Sequence, residues 1–183
     1  MKRTIAVLGI AAAGLVVSAC GSTGGERQVN AVSAEEIFER LKGLEGTWVQ
    51  VAVESSEDEM VAEAGTPVTY RLTSGGSAVV ETVFEGRPHE MVTVYYVDNG
   101  RLKLTHYCAM GNQPHMLADS LVGPDEVSFT CVGAGNTKSH DDPHMHWAQL
   151  RFAADGTLEA QWTMAKELQP GMVANLKLER ADN

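Results

Sequence analysis

The sequence predicts an all-β protein: an up-and-down antiparallel β-barrel of about ten strands with one N-terminal helix. Three observations predict this fold. From Thr47 onward, apolar and polar residues alternate with the period of two that is typical of strands. Tight turn sequences, such as Asp98-Asn-Gly100 and Asp155-Gly156, interrupt the alternation at regular intervals. Before Thr47, apolar residues instead recur at helical spacing.

Residues 1–19 have the pattern of an export signal. Lys2 and Arg3 precede an apolar run, and small residues lead to Cys20. The run is too short to predict a membrane-spanning helix. Val17-Ser-Ala-Cys20 resembles the lipobox of bacterial lipoproteins, which implies cleavage before Cys20 and lipidation there, palmitate included. Residues 20–32 are rich in glycine and polar residues and predict a flexible tether, leaving 33–183 for the barrel.

Charge and motifs exclude several classes of function. Residues 1–19 carry two of the 14 basic residues and none of the 24 acidic ones, so the remainder has a net charge of −12. Such an acidic chain disfavours nucleic acid as a partner. The phosphate-binding and nucleophile-elbow motifs GxxxxGK[ST] and GxSxG do not occur. No Ser/His/Asp triad assembles from the pattern, so a binding protein is favoured over an enzyme.

One helix precedes the strands. Ser33-Ala-Glu-Glu36 is a capping box, in which Ser33 and Glu36 each satisfy the backbone amide of the other. Four apolar residues follow at helical spacing: Ile37, Phe38, Leu41 and Leu44. Gly43 or Gly46 is predicted to end the helix.

The predicted strands occupy residues 47–54, 66–73, 77–85, 90–97, 101–109, 114–121, 126–132, 144–153, 157–165 and 171–180. Every second connection is a tight turn, and those between are mostly longer. Alternate connections of an up-and-down meander lie at the same end, so one end is predicted to be closed and the other to be an open mouth. The helix enters at the closed end.

The first strand carries a family likeness. Gly46-Thr-Trp48 matches the Gly-x-Trp of the calycin (lipocalin-like) superfamily, and the helix with ten strands spans residues 33–180. The chain resembles small bacterial lipocalin-like barrels of unassigned function and, more distantly, the nitrobindin group. The latter likeness implies haem as a cofactor, although Val49-Gln-Val-Ala-Val53 stands where that group continues with glycines.

Strand direction places all six histidines at the open mouth. His106, His144 and His146 share strand faces with apolar residues, so they are predicted to point into the cavity. The predicted apolar floor below them includes Leu104, Phe129 and Leu150, which are expected to contact the ligand as well. As a metal site, the three histidines would hold Zn, Cu or haem, with His115 and His140 as further ligands. As ordinary cavity residues, they would be polar contacts for a small ligand.

The two cysteines of the barrel are also predicted at the mouth. Cys108 and Cys131 lie at one height, and an exported compartment favours a disulfide between them. A strand lies between theirs, however, and a disulfide needs Cα atoms within about 7 Å, so the strand ends would have to bend. Two free thiols beside the histidines would instead favour a soft metal.

These patterns predict a lipid-anchored protein of the bacterial cell envelope, facing the periplasm or the exterior. Its barrel is predicted to bind a small, partly apolar molecule in the cup, and Cys20 to hold it to the membrane. Two alternatives remain open from the sequence. One is a metal-binding barrel, with a metal-dependent enzyme as one form of it, and the other is a structural envelope protein.

Overall fold

The computed structural model describes residues 32–53, 59–139, 141–167 and 169–182, without the side chains of residues 120–122. Residues Ala31–Asn183 form one compact unit. The predicted signal peptide, Cys20 and the tether up to residue 31 lie outside the described residues, as do His140 and most of the acidic stretch 54–59. Among the described helices, none has the length and apolar character needed to cross a membrane.

Helix α1 (Ala34–Lys42) begins at the predicted capping box. Ser33 accepts from the Glu36 amide at 3.1 Å, and the Glu36 carboxylate accepts from the Ser33 amide at 2.7 Å. Glu36 is fully exposed, and these bonds from Ser33 lower the pKa of its carboxyl. Ile37 and Leu41 are fully buried, so the helix lays its apolar stripe on the barrel.

Eleven strands follow the helix. They are β1 (Gly46–Gln50), β2 (Glu59–Val61), β3 (Pro67–Thr73), β4 (Ala78–Val83), β5 (Met91–Asp98), β6 (Arg101–Tyr107), β7 (Gln113–Gly123), β8 (Glu126–Gly135), β9 (His144–Phe152), β10 (Leu158–Lys166) and β11 (Gln169–Arg180).

Ten of these strands form a closed up-and-down barrel, as the sequence predicted. Each pairs antiparallel with its neighbour from β3 to β11, and β1 closes the barrel by pairing with both β3 and β11. The short strand β2 was not predicted. It pairs parallel with β11 through residues 173–175, where the longer β11 extends past the end of β1.

Helix α1 packs at the end of the barrel that carries the tight turns. Arg40 donates to the carbonyl of Pro124, forms an ion pair with Asp125, and lies 4.6 Å from the ring centroid of Phe152. Both partners of the first two contacts belong to the β7–β8 turn. We call this end the closed end and the opposite end the mouth.

The interior at the closed end is packed with side chains. Leu104, Phe129 and Leu150 are each 1% exposed and belong to the hydrophobic core. The sequence assigned these three residues to ligand binding. The structure places them in the packed core, and none of them lines the cavity described below.

Candidate functional site

A cavity of about 460 Å³ lies at the mouth of the barrel. Its wall comes from β2, β4, β5, β6, β9, β10 and β11 and from the loops after β2, β4 and β6. The lining is mostly apolar and is rich in methionine: Met60, Met91, Met110, Met145 and Met172. Methionine side chains are flexible and polarizable, so such a wall adapts to ligands of different shape.

His106 is the predicted site residue that lies in this cavity. Its position on β6 follows Leu102 and Leu104 on the interior face. The imidazole is 5% exposed and packs on Trp162, with ring centroids 4.8 Å apart. Nδ1 lies 3.0 Å from the Thr93 hydroxyl oxygen, whereas Nε2 is buried without a hydrogen-bond partner among the described residues. Burial lowers the pKa of His106 from 6.5 to about 4, so the ring is neutral at pH 7.

A buried carboxyl group lies on the same wall. Glu81 is 2% exposed, lines the cavity, and accepts a hydrogen bond of 2.7 Å from the Tyr95 hydroxyl. Burial raises the pKa of the Glu81 carboxyl, against the opposing effect of its tyrosine neighbours. The Tyr70 hydroxyl faces it too, without the geometry of a hydrogen bond, and burial and Glu81 raise the pKa of Tyr70.

Sequence reasoning missed Glu81. The available signal was its place in the alternation of β4, between the interior residues Val79 and Val83. A carboxyl group on the interior face of a strand is costly unless it is hydrogen-bonded, and such a residue is therefore informative.

A second group of polar side chains lies in the wall between β8 and β9. Cys131, His144 and His146 are all buried, and one potential metal-ligand atom from each lies within 4.8 Å of the other two. His144 Nε2 is 2.8 Å from His146 Nδ1. His144 Nδ1 is 2.7 Å from the Asp142 carbonyl oxygen, and the Cys131 thiol donates to the Gly133 carbonyl at 3.2 Å.

His106 is not a member of this group. The sequence grouped it with His144 and His146 because all three were predicted at the same height. Two strands, β7 and β8, separate β6 from β9 along the wall, whereas β8 is the direct neighbour of β9. Cys131 on β8 therefore takes the position beside the two histidines.

The remaining histidines have different settings. His89 lines the cavity from the loop after β4, and its ring lies 4.5 Å from that of Phe84. His115 is exposed on the outer surface, with Nδ1 3.1 Å from the Thr105 hydroxyl. The strand register places all five described histidines at the mouth, and His140 lies outside the described residues.

The predicted disulfide is not formed. Cys108 and Cys131 are both free thiols. Cys108 lines the cavity just after β6, whereas Cys131 is buried on β8, with β7 between the two strands. Burial raises the pKa of the Cys131 thiol, against smaller opposing effects of backbone hydrogen bonds.

No known protein family and no curated protein matches this chain. The closed antiparallel barrel is consistent with a lipocalin-like fold. The site must therefore be interpreted from its own geometry.

Proposed function

We propose that this protein binds a small, largely apolar molecule in the mouth cavity and holds its polar end at His106. The observation that carries the proposal is the Nε2 atom of His106, buried without a partner on an apolar wall. An unsatisfied buried polar atom costs about 1–3 kcal/mol. A ligand that supplies the missing hydrogen bond recovers much of that cost.

We assign the polarity of this contact from the neighbouring hydroxyl groups. The Tyr95 hydroxyl donates to Glu81, so its oxygen is open to a donor. Thr93 is buried on the same face of β5 as Tyr95. We take the Thr93 hydroxyl, 3.0 Å from His106 Nδ1, to accept the Nδ1 proton, which leaves Nε2 as an acceptor. The favoured ligand therefore offers a hydroxyl or N–H group.

The size and chemistry of the cavity limit the rest of the ligand. A volume of about 460 Å³ is within the range of small-molecule sites. Methionine, valine and aromatic side chains dominate the wall, which favours an alkyl or ring body. The buried Glu81 carboxyl disfavours a ligand with a carboxylate at the same depth, because two acids in an apolar site repel each other when ionised.

The cellular setting of the proposal comes from the sequence. The lipobox-like Val17-Ser-Ala-Cys20 supports a lipid anchor in the bacterial envelope, with the barrel facing the periplasm or exterior. The net charge of −12 after residue 19 supports a small-molecule partner over nucleic acid. A purely structural envelope protein would retain no ligand, and the experiment below separates it from a binding protein.

The test is a titration of the purified full chain with three probes of equal chain length: dodecanol, methyl dodecanoate and dodecanoate. Trp162 lines the cavity, so its fluorescence reports binding. We expect dodecanol to bind about tenfold more tightly than the ester, which has no donor, and more tightly than the carboxylate. His106→Leu should remove the preference for dodecanol over the ester.

His115→Leu is the matched control, because His115 is a mouth histidine on the outer surface. It should bind all three probes as the wild type does. Equal binding of dodecanol and its methyl ester by the wild type would contradict the role of His106. Saturable binding of none of the three would contradict the cavity as an alkyl site.

A further inference from the structure

We propose that Cys131, His144 and His146 form a metal site of the zinc class, separate from the ligand cavity. One thiolate and two imidazoles suit Zn²⁺, which prefers nitrogen and sulfur ligands in tetrahedral geometry. The three side chains are 5%, 1% and 7% exposed, so no large rearrangement is needed to withdraw the ion from bulk water. Three protein ligands leave the fourth position for a water molecule.

Irregularities in two strand pairings accompany the meeting of the ligands. The register of β9 with β10 shifts between Trp147 and Met145, which places a bulge at His146. The register of β7 with β8 shifts between Met116 and His115, opposite Cys131 and Gly133. Bulges redirect side chains and are over-represented next to functional sites. Here they accompany three consecutive buried residues, His144 to His146, where an ideal strand would alternate.

The hydrogen bonds prepare one imidazole for a metal. Because the Asp142 carbonyl only accepts, His144 Nδ1 carries its proton, and Nε2 is left with its lone pair facing His146. A backbone carbonyl that fixes the tautomer in this way is a common second partner of metal-binding histidines. Without the ion, that lone pair accepts from His146 Nδ1–H. When the ion binds, the Nδ1 proton of His146 is lost to solvent and another is taken up at Nε2, so that Nδ1 becomes the ligand atom.

The distance between the two nitrogens is close to that around a bound ion. Zn–N bonds of about 2.0–2.1 Å at a tetrahedral angle place two ligand nitrogens about 3.3 Å apart. The two histidine nitrogens are 2.8 Å apart and would separate by about half an ångström, and the Cys131 sulfur, whose distance to the histidine ligand atoms is within 4.8 Å, would move toward the ion. When the ion binds, the Cys131 thiol gives up to solvent the proton that it now donates to the Gly133 carbonyl.

The place of the site suggests what the ion does. On the side of the mouth, the pairing of β8 with β9 ends at Thr130 and Trp147. Cys131 and His146 are the next residues toward the mouth on the two strands. An ion held by both strands would continue their connection toward the mouth. None of its three ligands lines the cavity, although Met145 between the two histidines does. The ion would therefore stiffen one wall of the cavity without contacting the ligand.

Cobalt is the probe that reports the ligands directly. The full chain, purified without a polyhistidine tag, is titrated with Co²⁺. We expect one ion per chain, the strong visible absorption of tetrahedral cobalt, and a near-ultraviolet thiolate-to-cobalt band that Zn²⁺ abolishes. Cys131→Ser should lose the thiolate band, and His144→Ala and His146→Ala should each weaken Co²⁺ binding by about tenfold or more.

Cys108→Ser is the matched control, because Cys108 is the other free thiol of the described barrel and lines the cavity instead. It should keep the wild-type spectrum, and His106→Leu should keep it too. That second variant separates the metal site from the proposed alcohol site, whose failure would leave the cobalt spectrum unchanged. A thiolate band that persists in Cys131→Ser, or substoichiometric binding by the wild type, would overturn the proposal.

X-ray absorption spectroscopy of the zinc-loaded wild type identifies the atoms that coordinate the ion, and it does not depend on whether a variant folds. We expect one sulfur at about 2.3 Å and two imidazole nitrogens at about 2.0 Å. Coordination by oxygen alone, or by more than one sulfur, would overturn the site.

Discussion

At the scale of single residues, His106 links the stability of the protein to its proposed function. Its Nε2 is buried without a partner, and its ring packs on Trp162. Both features follow from one polar residue at the mouth end of an otherwise apolar strand face. A binding protein tolerates such a cost in the free state because the ligand relieves it.

The lowered pKa of His106 predicts acid sensitivity. The unfolded chain binds a proton on this residue below about pH 6.5, whereas the folded chain does so only below about pH 4. The unfolded state binds more protons in that window, so the free energy of unfolding falls as the pH falls. The loss attributable to His106 amounts to about 3 kcal/mol across the window.

Urea unfolding at pH 7 and at pH 4, for the wild type and His106→Gln, measures this loss. Glu81 changes the free energy of unfolding in the opposite direction as the pH falls. Its pKa is raised in the folded state, so the folded chain binds this proton at a higher pH than the unfolded chain does. Glu81 is common to both proteins, so their difference isolates His106. We expect the wild type to lose about 3 kcal/mol more than the variant. An equal loss in both would show that the pKa of His106 is not depressed in the folded state.

At the scale of elements, Arg180 at the end of β11 holds the helix to the barrel. Its guanidinium donates to the carbonyl oxygens of Gly43 and Glu45 at 2.7 and 2.9 Å. It also lies 4.7 Å from the centroid of the Trp48 ring, and Trp48 Nε1 donates to the Leu44 carbonyl at 2.7 Å. The backbone carbonyls of residues 43–45, which connect α1 to β1, are thus satisfied by two side chains of the barrel.

Gly46 permits this arrangement, and its replacement by alanine should weaken it. Its φ is +127°, and a Cβ there would lie 3.1 Å from the Arg180 guanidinium. We expect Gly46→Ala to lower the free energy of unfolding by about 1–3 kcal/mol, measured by urea denaturation. Gly123→Ala is the control, because Gly123 has an ordinary φ and open space around it. A Gly46→Ala variant as stable as Gly123→Ala would contradict the role of this contact.

The elements were more predictable from the sequence than the site. The capping box and turns such as Asp98-Asn-Gly100 are local patterns, so the helix and the ten barrel strands could be located. The bulge at His146 has no local signature, because a period of two continues through it in the sequence. The predicted strand order already placed the strand of Cys131 beside that of the two histidines. The register shifts near Cys131 and His146, which accompany the meeting of the three ligand atoms, could not be predicted from it.

At the scale of the whole molecule, closure of the barrel determines which strands have free edges. β1 pairs with both β3 and β11, so the ten barrel strands form a continuous ring. Strand β2 is different, because it has three residues and pairs with β11 alone. The sequence did not predict β2, since three residues are too few to show an alternation.

Hydrogen exchange should reveal this difference. We expect the amides of β1 and β11 that face each other, such as those of Val49 and Glu179, to exchange as slowly as amides in the middle of β6. Amides of Met60 and Val61 should exchange much faster. Mass spectrometry of peptic peptides measures both. Fast exchange across the β1–β11 seam, with slow exchange in β6, would mean that the barrel opens at this seam.

The closed end of the barrel affects the rate at which a ligand would exchange between the cavity and solvent. Helix α1 and the tight turns cover one end of the barrel, and the cavity lies at the other. A ligand would therefore enter and leave the cavity through the same opening at the mouth. Rim residues such as Met110, which is 52% exposed, lie at this opening. A substitution that only widens or narrows this opening changes the association and dissociation rate constants by the same factor. The dissociation constant then stays the same. Under the proposed function, the rim would set the residence time of the ligand, and His106 would set which ligand is preferred.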